Sequence, residues 1–365
     1  MSRVVGLAPA LPGRPRSQAE VTAVLAPLLA RDPAQRRLLE RVHAHAGVST
    51  RHLTLPLDGY RELGSFTAAN DLYLRHATAL GGDALGKALA QAGLAPSDVD
   101  FLLVTSVTGV GAPSLDVLLV DQLGLRPDMK RLPSFGLGCA GGAAGLARVH
   151  DYLVGHPRHV AALVAVELCS LTLQAGDPST ANLVATGLFG DGAAAAVLVG
   201  DDHPAARVAG HRPSVVDTHG VVVPGTARHL GWHVGSHGLR ILLDAELPTV
   251  VGQHLPAAVA TLLDRHGLAP SDVDTWVVHA GGPRIIDAVR DALSLDEGAV
   301  ASSRESLSQV GNLSSASVLH VLHLEAERLA GGTRPPAHRG VLMAFGPGVS
   351  VELVLLQWDG PAAGP

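Results

Sequence analysis

The chain has 365 residues, 47% of them hydrophobic and only 16% charged, so it buries a large core and is not a disordered chain. Its net charge of −6 argues against nucleic acid or an anionic membrane surface as a partner. It has two cysteines and no secretory-type leader, and its longest apolar stretch (160–173) is broken by Glu167 and too short to span a bilayer, all of which points to a globular protein of a reducing cytoplasm.

In chain order, residues 4–9 read as a short strand. Apolar periodicity from Val21 to Val48 predicts helices, with a turn at Gly47 before Arg51. Residues 76–92 predict a further helix and 101–107 a buried strand. The stretch from Leu132 to Leu153 closes on Gly136 and Gly138, presents Cys139, and enters a helix built from Gly141, Gly142, Ala143, Ala144 and Gly145. These are poor or neutral helix formers as a group, so close packing against other backbone must hold such a helix. Leu146, Val149 and Leu153 continue it on one buried face. A thiol at a glycine-flanked turn opening a helix is expected to have a lowered pKa, because backbone N–H groups and the helix dipole favour the thiolate. Taken alone, Cys139 also reads as a small buried hydrophobe. Residues 201–235, with their Pro, Gly and His, read as a connector, 275–279 as a second buried strand and 359–365 as a tail.

The octapeptide Gly-Leu-Ala-Pro-Ser-Asp-Val-Asp occurs at 93–100 and again at 267–274, each time after an amphipathic helix and before a buried strand. Glycine past the helix end and proline beyond it are ordinary helix-to-strand loop chemistry. Two further pairs recur in the same order. Gly-Leu-Gly-Cys139 matches Gln-Val-Gly-Asn312, and Leu-Phe-Gly-Asp-Gly (188–192) matches Ala-Phe-Gly-Pro-Gly (344–348). The chain therefore reads as two copies of one strand–helix plan: residues 1–200 carry Cys139, and residues 236–358 carry His279 and Asn312. Alternating strands and helices call for a layered α/β fold, and duplication suggests a pseudo-two-fold with the site at the junction.

Cys139 and Asn312 open matched helices, and His279 ends the strand before Ala280-Gly281-Gly282-Pro283. Cys, His and Asn on converging ends form a nucleophilic constellation: imidazole stabilises a thiolate, and donors build an oxyanion hole. Singly, one His among 19 is unremarkable, Asn312 reads as a turn or N-cap residue, and Gly346-Pro347-Gly348 as a tight turn. Their joint placement in a duplicated fold favours the functional reading.

These residues resemble the thiolase-fold condensing enzymes, and within them the type III polyketide synthases (the chalcone synthase-like family). The resemblance covers about residues 40–358. It rests on Gly138-Cys139-Ala140-Gly141-Gly142, on Leu188-Phe189-Gly190-Asp191-Gly192, on His279-Ala280-Gly281-Gly282-Pro283, on Gly311-Asn312-Leu313-Ser314-Ser315-Ala316 and on Phe345-Gly346-Pro347-Gly348. It implies a duplicated α-β-α-β-α thiolase fold, a homodimer with the segment near Ala112-Pro113 reaching toward the partner, and CoA thioesters as substrates with no cofactor or metal. Cys139 would carry the acyl group as a thioester. His279 and Asn312 would hold the malonyl-CoA carbonyl during decarboxylation. Phe189 matches the gatekeeper between CoA tunnel and cavity, and Gly346, Pro347 and Gly348 the loop that shapes the cyclisation cavity.

Thr108, Val107, Cys169, Thr172 and Ser314 line up with further cavity positions. Ile241 stands where plant members carry a second gatekeeping Phe, and Trp232 where they have a small Gly. The CoA-contacting lysines of plant members have no obvious counterpart, which leaves Arg51 as the nearby basic candidate for CoA. Residues 231–243 resemble bacterial members that make alkylresorcinols and alkylpyrones, so a fatty acyl-CoA starter extended by malonyl-CoA is the expected reaction. The alternatives are a tetrahydroxynaphthalene-type synthase using malonyl-CoA alone, with Trp232 closing the tunnel end, or the initiating ketoacyl-ACP synthase of fatty-acid synthesis. A non-enzymatic scaffold would require a broken Cys-His-Asn set, and all three residues are present.

Overall fold

The computed structural model describes residues 1–207, 212–330 and 337–359. Two short ladders and one large sheet account for the strands β1 (Ser2–Ala10), β2 (Arg16–Ser17), β3 (Thr50–Arg51), β4 (Phe101–Thr105), β5 (Lys130–Ser134), β6 (Val160–Leu168), β7 (Asp191–Gly200), β8 (Ser214–Val222), β9 (Leu230–Gly235), β10 (Gly238–Leu243), β11 (Thr275–Val278), β12 (Ala337–Gly346) and β13 (Ser350–Asp359). The nine-stranded sheet runs β11-β12-β13-β8-β1-β7-β6-β4-β5.

The duplication is written into that order. β1 is antiparallel to β7, β7 to β6, and β6 is parallel to β4; β8, β13, β12 and β11 repeat the same relations. The halves join where Ser2 and Arg3 pair with Val215 and Ser214. The repeated octapeptide does the same work in each copy. Asp98 caps Ala95 N–H at 2.8 Å, and Asp272 caps Ala269 N–H at 2.8 Å. Asp100 then accepts from Val160 N–H and Asp274 from Arg339 N–H, both at 2.8 Å, and these bonds register the next parallel strand.

The helices are α1 (Gln18–Leu29), α2 (Pro33–Ala44), α3 (Phe66–Ala92), α4 (Leu115–Leu123), α5 (Gly141–Gly155), α6 (Thr180–Leu188), α7 (Leu247–Asp264), α8 (Pro283–Ala292), α9 (Ala301–Val310) and α10 (Ser317–Ala330). α5 and α10 touch strands of both half-sheets and form the middle layer; α3 covers one outer face and α7 the other. Strand β6 is buried on both sides. Ala161, Leu163 and Ala165 join the core around α5, while Ala162, Val164 and Val166 join the core under α3, which explains its near-continuous apolar run. Among the described residues no helix is long and apolar enough to cross a membrane.

Two expectations are corrected. Residues 201–235 are not simply a connector: β8 lies in the large sheet and β9 in a hairpin. Polar Asp217, Thr218 and His219 hide the strand signal, because β8 is half exposed and is held by its pairing with β13. The helix expected at 76–92 begins ten residues earlier, at Phe66, with Ser65 Oγ accepting from Ala68 N–H at 3.2 Å. Of the expected tail, Asp359 ends β13 and the rest lies outside the described residues.

The small residues of α5 let the middle layer close. A Cβ on Gly142 would lie 2.3 Å from Ser315 O, a backbone atom of the opposite half. Gly142→Ala is expected to destabilise by about 1–3 kcal/mol through overpacking, more than the roughly 1 kcal/mol gained in helix propensity. Thermal unfolding measures this, and an unchanged or raised midpoint would show that the halves have room to spare.

Candidate active site

Cys139, His279 and Asn312 meet in one cavity of about 450 Å³, whose walls also include Phe189 and Phe345. Cys139 sits in the 3₁₀ turn Gly138–Ala140 that runs into α5, with Gly138 at φ +53°. A Cβ on Gly138 would lie 2.4 Å from Pro347 Cδ, and one on Gly346 would lie 2.5 Å from Leu137 O. The Gly346-Pro347-Gly348 loop thus buttresses the Cys139 turn from behind, and its three residues are not in the walls of this cavity. His279 follows β11 and donates its backbone N–H to Met343 O at 2.9 Å, which extends the β11–β12 pairing. Asn312 lies between α9 and α10. It is tied to the end of α6 by Asn312 N–H to Leu188 O (2.8 Å) and Gly190 N–H to Asn312 O (3.0 Å).

Two bonds set the Asn312 amide. Ser314 N–H donates to Oδ1 at 2.8 Å, and Nδ2 donates to Gly281 O at 3.2 Å. One amide N–H is left over for the cavity. Cys139 Sγ donates to Ser314 Oγ at 3.6 Å, and Ser314 Oγ to Glu167 Oε1 at 3.3 Å. Ser314 holds φ +49°, a left-handed conformation that is uncommon outside glycine. Glu167, fully buried, also accepts from Ser106 Oγ, Val107 N–H, Thr108 Oγ1 and Ser315 Oγ at distances between 2.5 and 3.2 Å. Sequence reasoning noted Glu167 only as a break in an apolar run. A charged residue inside a doubly buried strand was itself the signal, since such carboxylates are almost never fully buried unless satisfied.

Burial pushes the Cys139 thiol up to about 12; Ser314 and Asn312 oppose this by hydrogen bonding, while the Glu167 carboxylate adds to it. Burial also pulls the His279 imidazole down to about 4, and its Nδ1 finds no partner among the described residues. The expected lowering of the thiol pKa is therefore corrected. Desolvation outweighs the helix N-terminus, and burial favours the uncharged form of both the thiol and the imidazole. Because the Glu167 charge holds the thiol pKa up, Glu167→Gln is expected to shift the pH profile of Cys139 alkylation toward lower pH. An unchanged profile would show that the two groups are not coupled.

Phe189 also walls a second, smaller cavity of about 50 Å³, together with Arg51, Cys169, Thr172, Trp232 and Ile241. Trp232 and Ile241 are cross-strand partners in the β9–β10 hairpin. A third cavity of about 700 Å³ shares Thr172 with the second and includes Thr108, Asn70, Gln174, His233 and Arg240. Ser314 touches Cys139 directly, and Val107 N–H reaches the site through Glu167. Arg51, expected to meet CoA, is 1% exposed and donates from Nη1 to Phe189 O at 2.8 Å and from Nη2 to Gln18 Oε1 at 2.6 Å. That expectation is corrected, because a guanidinium so enclosed has no surface to offer a phosphate. The basic side chains in the wall of the Cys139 cavity are exposed His45 and Arg284. Among the described residues no group of His, Cys, Asp and Glu could hold a metal ion.

Residues 7–203 match the N-terminal domain of chalcone and stilbene synthases, and residues 215–358 match the C-terminal domain. A 1,3,6,8-tetrahydroxynaphthalene synthase of Streptomyces peucetius is 51% identical over 96% of this chain and 91% of its own. An alpha-pyrone synthesis polyketide synthase-like protein of Mycobacterium tuberculosis is 30% identical over 97% of this chain and 90% of its own. The crystal structure of the Streptomyces coelicolor tetrahydroxynaphthalene synthase, a bacterial type III polyketide synthase, superposes with a TM-score of 0.88 at 31% identity, covering 98% of this chain and 100% of that one. A polyketide synthase of the brown alga Ectocarpus siliculosus superposes with a TM-score of 0.90 at 29% identity, covering 98% of both chains. With the duplicated thiolase fold and both family domains matched, the chain belongs to the chalcone and stilbene synthase family and is a type III polyketide synthase.

Proposed function

We propose that this synthase uses malonyl-CoA as both starter and extender and releases a tetrahydroxynaphthalene-type pentaketide. The observation that carries this reading is the 51% identity, over nearly the whole chain, to a tetrahydroxynaphthalene synthase. The cavities support it. The space beyond Phe189 holds about 50 Å³ and is walled by the Trp232–Ile241 pair, well below the roughly 300–1,000 Å³ of a pocket that encloses a drug-sized ligand. The larger neighbouring cavity mixes polar Asn70, Gln174, His233 and Arg240 with apolar Phe66, Leu171 and Leu239 in its walls. An alkyl chain gains about 0.8 kcal/mol per CH₂ only when buried against apolar surface. On the identity and the small space behind Phe189, a fatty acyl starter, the reaction first expected, is the less supported of the two.

In this reading Cys139 Sγ attacks a CoA thioester and its proton passes to His279, forming the imidazolium as the charge on sulfur is consumed. The S–C bond to CoA breaks and CoA leaves as a thiolate. A second malonyl-CoA places its thioester oxygen between His279 and the Asn312 N–H that does not hold Gly281 O. Loss of CO₂ leaves an enolate whose oxygen those donors stabilise. The enolate carbon then attacks the acyl carbonyl on Cys139, and the sulfur departs as a thiolate beside the imidazolium. Exposed His45 and Arg284 would meet the CoA moiety at the mouth. A second copy of the chain would cover the exposed β5 edge, where Leu132 and Phe135 are 42% and 52% exposed beside the loop holding Val110.

The test is a chain-length series of acyl-CoAs, from acetyl to palmitoyl, with wild type and Trp232→Gly. Wild type is expected to ignore the longer starters, and Trp232→Gly to accept medium chains as the cavity opens. Efficient use of palmitoyl-CoA by wild type would overturn the malonyl-starter reading.

A further inference from the structure

Arg51 is an odd group to bury. It is 1% exposed, and among the described residues no carboxylate lies within ion-pair distance and its Nε has no partner. Asp191, the carboxylate whose field it feels, is taken up instead by Ser170 N–H, Ser170 Oγ and Thr54 N–H. Well-packed apolar residues are often as stabilising as buried charges, so stability alone does not account for a guanidinium here. What an arginine offers is a rigid planar fork that fixes two acceptors relative to each other.

The two acceptors are informative. Nη1 holds Phe189 O, the backbone of the residue shared by the Cys139 cavity and the cavity behind it. Nη2 holds Gln18 Oε1, and Gln18 Nε2 in turn donates to Gly187 O at 2.8 Å and His43 O at 3.1 Å. The Arg51 stem covers the same junction: a Cβ on Gly190 would lie 3.4 Å from Arg51 Cβ, and one on Gly311 would lie 3.7 Å from it. Between those two glycines runs the Phe189–Asn312 bridge, where the two halves exchange two backbone hydrogen bonds beside the site.

We propose that Arg51 is a positioning residue that sets the Phe189 gate and, through the Phe189–Asn312 bridge, aims the Asn312 amide at the reacting thioester. This rests on the polyketide synthase mechanism above. It assigns a role in the reaction to a residue that touches neither CoA nor the reacting atoms. Displacement of a donor by about 1 Å from a remote change can cost 10²-fold in rate.

The experiment compares wild type, Arg51→Met, Arg51→Lys and Gln18→Leu by three readouts: alkylation of Cys139, CO₂ release from malonyl-CoA resolved into kcat and KM, and product length. In Arg51→Met, kcat for CO₂ release is expected to fall about tenfold to a hundredfold. KM and Cys139 alkylation should stay close to wild type, and shortened products should increase as the gate loosens. Arg51→Lys should recover part of kcat. If Arg51→Met does not fold, Gln18→Leu decides, with the same split expected in milder form. Wild-type kcat and product length in the variant that folds would overturn the proposal. So would a parallel loss of all readouts and of thermal stability with no rescue by Lys, which marks a merely structural role. Absence of CO₂ release from the wild type would instead overturn the polyketide synthase mechanism, and this proposal with it.

Discussion

Replacing Cys139 with alanine is expected to abolish both acyl loading and product. Cys139 opens onto the cavity shared with His279 and Asn312 and hydrogen-bonds Ser314 Oγ. The other thiol cannot substitute. Cys169 is 8% exposed behind Phe189, and burial first, then the Glu167 and Asp191 carboxylates, push its pKa well above the ordinary thiol range. Iodoacetamide should accordingly label Cys139 ahead of Cys169. The check is peptide mapping after a brief pulse, alongside intact-protein mass after incubation with malonyl-CoA. Near-normal polyketide yield from Cys139→Ala would remove it from the nucleophile's role.

Asn312→Ala is expected to lower kcat for malonyl-CoA decarboxylation by about 10²–10³, the usual cost of one oxyanion-hole donor. In the proposed mechanism the proton of the thiol goes to His279, so loading of Cys139 should survive the loss of Asn312. The geometry sharpens the expectation: with Ser314 N–H on Oδ1 and Gly281 O on Nδ2, the amide cannot turn, so its remaining N–H has one direction. Separate assays of acyl-enzyme formation and CO₂ release distinguish the two steps. Equal loss in both would show that Asn312 acts on the nucleophile as well.

Much of the architecture was legible because duplication left identical words at equivalent places. The octapeptide copies, the Gly138-Cys139 and Gly311-Asn312 pairs, and the Phe189 and Phe345 turns mark the same joints in two half-sheets. The weak helix formers of α5 announced a close approach, and Gly142 makes it against Ser315 O. What stayed hidden depends on long-range burial. Strand β8 carries too many polar residues to show a period and exists because β13 pairs with it. Arg51 reads as a surface cation until its carbonyl partners are seen. The thiol pKa is set by desolvation and by a carboxylate 28 positions away in the chain, neither of which a glycine-flanked turn discloses. Trp232 and Ile241 were singled out separately, but their pairing across one hairpin, which puts both in the wall of one cavity, is a matter of register.

The most direct measurement supplies the purified protein with malonyl-CoA as its only substrate and determines the product by accurate mass. A pentaketide naphthol, with CO₂ released in step and no acyl starter required, is the expected result. No turnover of malonyl-CoA alone, with product appearing only when a longer acyl-CoA is added, would contradict the account.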